Sequence, residues 1–84
     1  MLKSVHSPEQ EVLQHLLRRL RKEQGLLQRE LAVRLGKPPS FVCRFEKGSV
    51  MLDMPQLRQV CRALGLTLRE MVELYEVELE QKGL

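Results

Sequence analysis

No apolar run in this 84-residue chain approaches the ~18 residues needed to cross a bilayer, so no membrane-spanning segment is expected. The opening MLKSVHSPEQ lacks the apolar core of a secretory signal, which makes the cytoplasm the expected location. There are two cysteines, Cys43 and Cys61. In a reducing compartment these are expected as thiols and not as a disulfide. Together with His6 and His15 they form no recognisable metal spacing, so no metal or other cofactor is expected. The chain also lacks a nucleophile and base pair, a phosphate-binding glycine loop and a paired acidic site. With a core this small leaving little room for a substrate pocket, an enzyme is not expected.

What is present argues for a small folded domain. Apolar residues make up 43% of the chain, too many for disorder. Eighty-four residues form one domain near the lower limit for folding without disulfides or metals, a size at which dimerisation adds stability. Charge is uneven along the chain. Residues 1–50 carry ten Lys or Arg against five Glu, net +5, whereas residues 51–84 carry four against six Asp or Glu, net −2. Two readings stay open: a cationic face that meets phosphate, or ordinary solvated surfaces.

Gly25, Gly36, Gly48 and Gly65 each follow an apolar-periodic segment, where glycine can close the last helical turn in the left-handed conformation. Ser7-Pro8-Glu9-Gln10 has the residues of a helix start, and the first helix is expected to run from there to about Gln24. Its inward stripe is Val12, Leu13, Leu16, Leu17 and Leu20, which leaves Arg18, Arg19, Arg21 and Lys22 on or near the wet side. A second helix begins near Leu27 or Gln28 with Leu31, Ala32 and Leu35 inward, and a third spans about Pro38 to Lys47 with Val42 and Phe45 inward. Gly36 breaks the two, which is the layout of a helix-turn-helix. A fourth helix is expected over Pro55 to Leu64, burying Leu57, Val60, Cys61 and Leu64, with Asp53 in the loop that enters it. Thr67-Leu68-Arg69-Glu70 is a capping box for a fifth, in which Leu68, Met71, Val72, Tyr75 and Leu79 share a face. Leu74 and Val77 fall outside that stripe among glutamates and form a candidate dimer seam.

These residues resemble the lambda-repressor-like, or Xre-type, helix-turn-helix regulators, a family that includes phage repressors, controller proteins and some antitoxins. The resemblance covers about residues 12–75. It is carried by Leu20-Arg21 and Gly25, by Gln28 with Glu30-Leu31-Ala32 and Leu35-Gly36, and by Ser40, Val42 and Arg44-Phe45-Glu46-Lys47-Gly48. Leu52-Asp53, Val60 and Ala63-Leu64-Gly65-Leu66 complete the set. It implies an all-α, five-helix lambda-repressor-like DNA-binding domain with a core over 8–75, the helix-turn-helix at about 27–47 and a C-terminal helix extension over 76–84.

The third helix is then the recognition element, because the major groove admits a helix and shows a distinct donor and acceptor pattern for each base pair. The 100° step per residue turns Pro39, Ser40, Cys43 and Arg44 away from Val42 and Phe45. Arg44 is the leading candidate for a guanine or phosphate contact. Ser40 can donate to either. Phe41 has two open placements, on a thymine methyl or sugar, or in the core. Cys43 stands where the family commonly has a small polar residue. Gln28, in the first turn of its helix, is placed to touch a phosphate or a base edge, and Lys37 and Lys47 complete the candidate DNA-binding set. In the family, a glutamate at Glu46 is structural and holds the helix end to an arginine of the first helix, a partner that Arg21 matches.

Two departures from the family stand out. Pro39, after Pro38, replaces a glutamine that relatives often carry, and proline offers neither a side-chain nor a backbone donor. The loop after Gly48 reads Ser49-Val50-Met51 where relatives usually have basic residues that touch phosphate. The expected function is a homodimeric, sequence-specific regulator of transcription, most simply a repressor, on pseudo-palindromic double-stranded DNA. The alternative is a protein-interaction module of antitoxin or phage type, with a protein partner such as a toxin and weakened DNA binding. No appended sensor domain is expected, so control is expected from concentration or from a partner.

Overall fold

The computed structural model describes residues 7–84; His6 and the MLKSVH segment to which it belongs lie outside the described residues. Five α-helices follow in order: α1 (Pro8–Glu23), α2 (Gln28–Leu35), α3 (Pro39–Lys47), α4 (Met54–Ala63) and α5 (Leu68–Gln81). No described helix is long and apolar enough to cross a membrane.

Short-range chemistry sets the ends of these helices. The Ser7 hydroxyl accepts from the Gln10 amide at 3.2 Å with Pro8 in the first helical position. Asp53 and Gln56 cap α4 reciprocally, as Thr67 and Glu70 cap α5. Leu27 has no side-chain acceptor to offer α2, and only half of that exchange survives: its amide donates to Glu30 Oε1 at 2.8 Å. Gly36 ends α2 at φ +67° and Gly48 ends α3 at φ +86°, left-handed values that a side chain resists.

Leu16 and Leu17 of α1, Leu31 and Ala32 of α2, Val42 and Phe45 of α3, Val60 and Cys61 of α4, Leu64 and Met71 form one buried cluster. All five helices thus share a single core. Burying a large aliphatic or aromatic side chain contributes roughly 1.5–3 kcal/mol, so this cluster is the main source of stability in a domain of this size. α5 is fastened to α1 at two levels. The Tyr75 hydroxyl donates to the Glu9 carbonyl at 3.0 Å, and Arg19 Nη1 donates to Glu78 Oε2 at 3.0 Å.

Arg21 and Val72 depart from the faces that periodicity assigned, and Gln14, to which no face was assigned, is buried. Arg21 is not on the wet side of α1 but 6% exposed, because Glu46 of α3 supplies a buried counter-charge. Gln14 is 5% exposed beneath the end of α3. Val72 does not join the buried face of α5 and remains 42% exposed, since α5 packs through Leu68, Met71 and Tyr75, and a residue one step beyond Met71 is turned 100° away.

Candidate nucleic-acid interface

The α2–α3 pair presents one continuous outward surface. Val42 and Phe45 hold α3 down on the core, and the opposite side carries Pro39, Ser40 and Arg44, all exposed. Lys37 in the turn and Lys47 in the last turn of α3 are exposed as well. Cys43 is half-buried on the flank of α3 that faces α1. Among the described residues, nothing bonds to the side chains of Ser40, Arg44 or Lys47. The tip of α3 starts with Pro38 as cap and Pro39 in the first turn, so the first amide it can offer is that of Ser40; the Phe41 amide donates to the Pro38 carbonyl at 3.0 Å.

Phe41 takes an intermediate position. Its ring meets Phe45 edge-on at 5.5 Å between centroids and 74° between planes, and Lys37 Nζ lies 5.5 Å from its centroid on the outer side. The aromatic pair anchors the tip of α3 to the core, and the ammonium over the ring places a positive charge at the rim of the outward face.

Behind this surface lies a polar clamp. Arg21 Nε donates to Glu46 Oε2 at 2.6 Å and Arg21 Nη2 to Glu46 Oε1 at 3.1 Å, a two-pronged pairing that suits the planar guanidinium. Arg21 Nη1 donates to the Leu26 carbonyl at 2.7 Å. Gln28 Nε2 donates to Glu46 Oε1 at 2.9 Å. Gln28 is therefore only half-exposed, and its amide group bridges α2 to α3 as well as facing outward. Four segments, α1, the loop after it, α2 and α3, are held at fixed angles by one carboxylate and one guanidinium.

A polar cleft opens between α1, the start of α2 and the flank of α3. Its α1 wall is formed by Gln14, His15 and Arg18; the sequence places Arg18 on the wet side of α1 but does not join it to Gln14 and His15. The signal was present: Gln14, Arg18 and Arg21 recur at i, i+4 and i+7, one face of a helix. On the far side of the molecule, Leu74 and Val77 of α5 are 37% and 49% exposed and border a shallow apolar groove with Leu66, Glu70 and Glu73.

Comparison with known proteins agrees with this geometry. Residues 13–74 match the sequence profile of the helix-turn-helix domain. An XRE-family like protein from Pseudomonas syringae pv. tomato str. DC3000 is 33% identical, with a TM-score of 0.80 over 87% of this chain and 89% of its own. The clp gene regulator ClgR from Corynebacterium glutamicum is 25% identical, with a TM-score of 0.79 over 92% of this chain and 82% of its own. The restriction-modification controller protein C.Esp1396I, solved as a tetramer on its natural 35 base-pair operator, shares the fold at 19% identity, with a TM-score of 0.81 over 88% of this chain and 97% of its own. No curated protein sequence matches the chain. Profile, structure and the 33% identical relative converge: the chain belongs to the helix-turn-helix family, among its XRE-like regulators.

Proposed function

We propose that this protein is a sequence-specific, double-stranded DNA-binding regulator of transcription that acts as a homodimer and represses by occupying a promoter. The observation that carries the reading is the outward face of α3, where Ser40 and Arg44 stand exposed beside Lys37 and Lys47 while Val42 and Phe45 fix the helix from behind. That face fits the major groove, with Arg44 reading a guanine edge and the lysines contacting phosphate. The likeness to a clp gene regulator and to a controller protein bound to its operator supports the same reading.

Leu74 and Val77 supply the two-fold contact in this reading, because exposed apolar residues beside a groove on α5 match themselves across a dyad. Two α3 helices then lie about one DNA turn apart, ~34 Å, on a pseudo-palindromic site. An interaction module of antitoxin or phage type, with a partner such as a toxin, is the second reading. It is favoured by the donor-poor Pro38-Pro39 tip and the uncharged Ser49-Val50-Met51 loop.

Anisotropy titration against random-sequence duplex at two salt concentrations decides between them. Regulatory binding is expected to weaken as salt rises, through release of counterions. No binding at low salt, or affinity indifferent to salt, favours the interaction module.

A further inference from the structure

α1 carries four cations close together, and the fold separates their roles. Arg21 is buried on Glu46, and Arg19 is held by Glu78 at 3.0 Å and Glu23 at 3.6 Å. Arg18 is exposed, with no ion pair or hydrogen-bond partner among the described residues. Its side chain forms one wall of the polar cleft, a space of about 370 Å³, and Lys47 of α3 stands at another wall with the same lack of a counter-charge. Among the described residues Glu46 is the one carboxylate lining the cleft, and both its oxygens are engaged by Arg21 and Gln28. The opening is therefore cationic and adjoins the outward face of α3.

We propose that this cleft holds a backbone phosphate of the duplex whose major groove α3 enters, with Arg18 of α1 as a positioning residue opposite Lys47. The inference rests on the DNA-binding reading above and adds a contact outside the helix-turn-helix. It accounts for a chain whose Ser49-Val50-Met51 loop has no charge to offer. The register of α3 on DNA is set from the α1 side instead, and phosphate contacts set register without reading sequence.

The test compares the whole protein with Arg18→Gln, Lys47→Gln and, as a surface control outside the cleft, Arg62→Gln, on random-sequence duplex over a salt series. Arg18 is exposed, so unchanged thermal melting is expected to show that its variant is folded. Loss of one phosphate contact lowers the slope of log affinity against log salt by about 0.9. That loss is expected for Arg18→Gln and for Lys47→Gln, and not for Arg62→Gln. Preference among duplex sequences is expected to stay unchanged in Arg18→Gln. A slope for Arg18→Gln equal to that of Arg62→Gln overturns the cleft assignment while leaving DNA binding in place. Failure of the parent protein to bind any duplex at low salt overturns the DNA reading and the cleft with it. Inorganic phosphate alone is the second probe: displacement of duplex by it, at constant ionic strength and dependent on Arg18, would reassign the cleft to a small anion.

Discussion

Arg21 and Glu46 are 25 residues apart in the chain and share two hydrogen bonds, of 2.6 and 3.1 Å, with both side chains withdrawn from solvent. The pair joins α1 to α3, and through the Leu26 carbonyl and Gln28 it reaches the intervening loop and α2. Glu46→Ala leaves a buried guanidinium without its counter-charge. Breaking one side of a buried pair costs about 3–5 kcal/mol. Urea unfolding is expected to show a loss of that size; a loss under about 1 kcal/mol, typical of an exposed pair, would show that the clamp contributes little.

The Arg44 side chain has no bonding partner within the described residues and stands clear of the core, so its removal is expected to spare the fold. Arg44→Ala is expected to weaken binding to a preferred duplex by about 1–3 kcal/mol and to flatten the preference at one base position, as a lost two-pronged guanine contact does. Selection of preferred sites from a random pool by parent and mutant measures both effects. Identical site preferences would remove Arg44 from the reading surface.

Phe45 lies in the core, with Phe41 edge-on against it. Phe45→Ala is expected to cost about 3–5 kcal/mol, because the ring's burial is lost and a cavity is left behind. Melting at the parent temperature would contradict that placement of the ring.

Gly48 and Gly36 share a left-handed backbone but not the space around it. A Cβ at Gly36 meets nothing within 4 Å, whereas at Gly48 it would stand 2.6 Å from Gln14 Nε2, the end of a side chain that is itself buried. Gly36→Ala is expected to cost about 1–2 kcal/mol from backbone conformation alone. Gly48→Ala carries the same conformational cost and an overpacking cost of ~1 kcal/mol or more. A double-mutant cycle with Gln14→Ala is expected to recover the excess, and additive single effects would show that Gln14 yields without cost.

The two thiols are expected to behave differently. Burial pushes the Cys61 thiol up from 9.0 to about 11, while Cys43 is half-buried beside the cleft. A thiol-specific reagent at pH 8 is expected to modify Cys43 in the native protein and Cys61 only after unfolding. The raised Cys61 value also fixes the sign of an alkaline effect. The unfolded chain loses this proton first, so stability is complete below about pH 9 and falls as pH rises towards about 11. Burial, then Glu9 and Glu76, raises Tyr75 in the same direction and adds to the fall from about pH 10 upward. Unfolding free energy measured across this range checks it; a Cys61→Ala variant with the same alkaline profile would assign the effect elsewhere.

Helix positions and inward faces were legible without coordinates because they depend on interactions within a turn or two. Ser7 and Thr67 cap within three residues, Gly36 and Gly48 close their own helices, and Val42, Phe45, Val60, Cys61 and Met71 follow the 3.6-residue period to the core; Asp53, read as part of a loop, proved to be the cap of α4, which starts one residue earlier than expected. The order of those signals already implied a helix-turn-helix with the α3 tip outward. Apart from the Arg21–Glu46 pair, which the family resemblance implied and the structure shows, the fate of the polar side chains was decided in three dimensions. Periodicity placed Arg18, Arg19 and Arg21 together in water, yet one lines an open cleft, one pairs with Glu78, and one is buried on a carboxylate contributed by α3. Val72 was left outside because α5 leans on α1 and α4 along a stripe narrower than its apolar face. A charge buried or exposed differs in free energy chiefly through its neighbours and their dielectric surroundings, and those neighbours are brought together only when the helices pack.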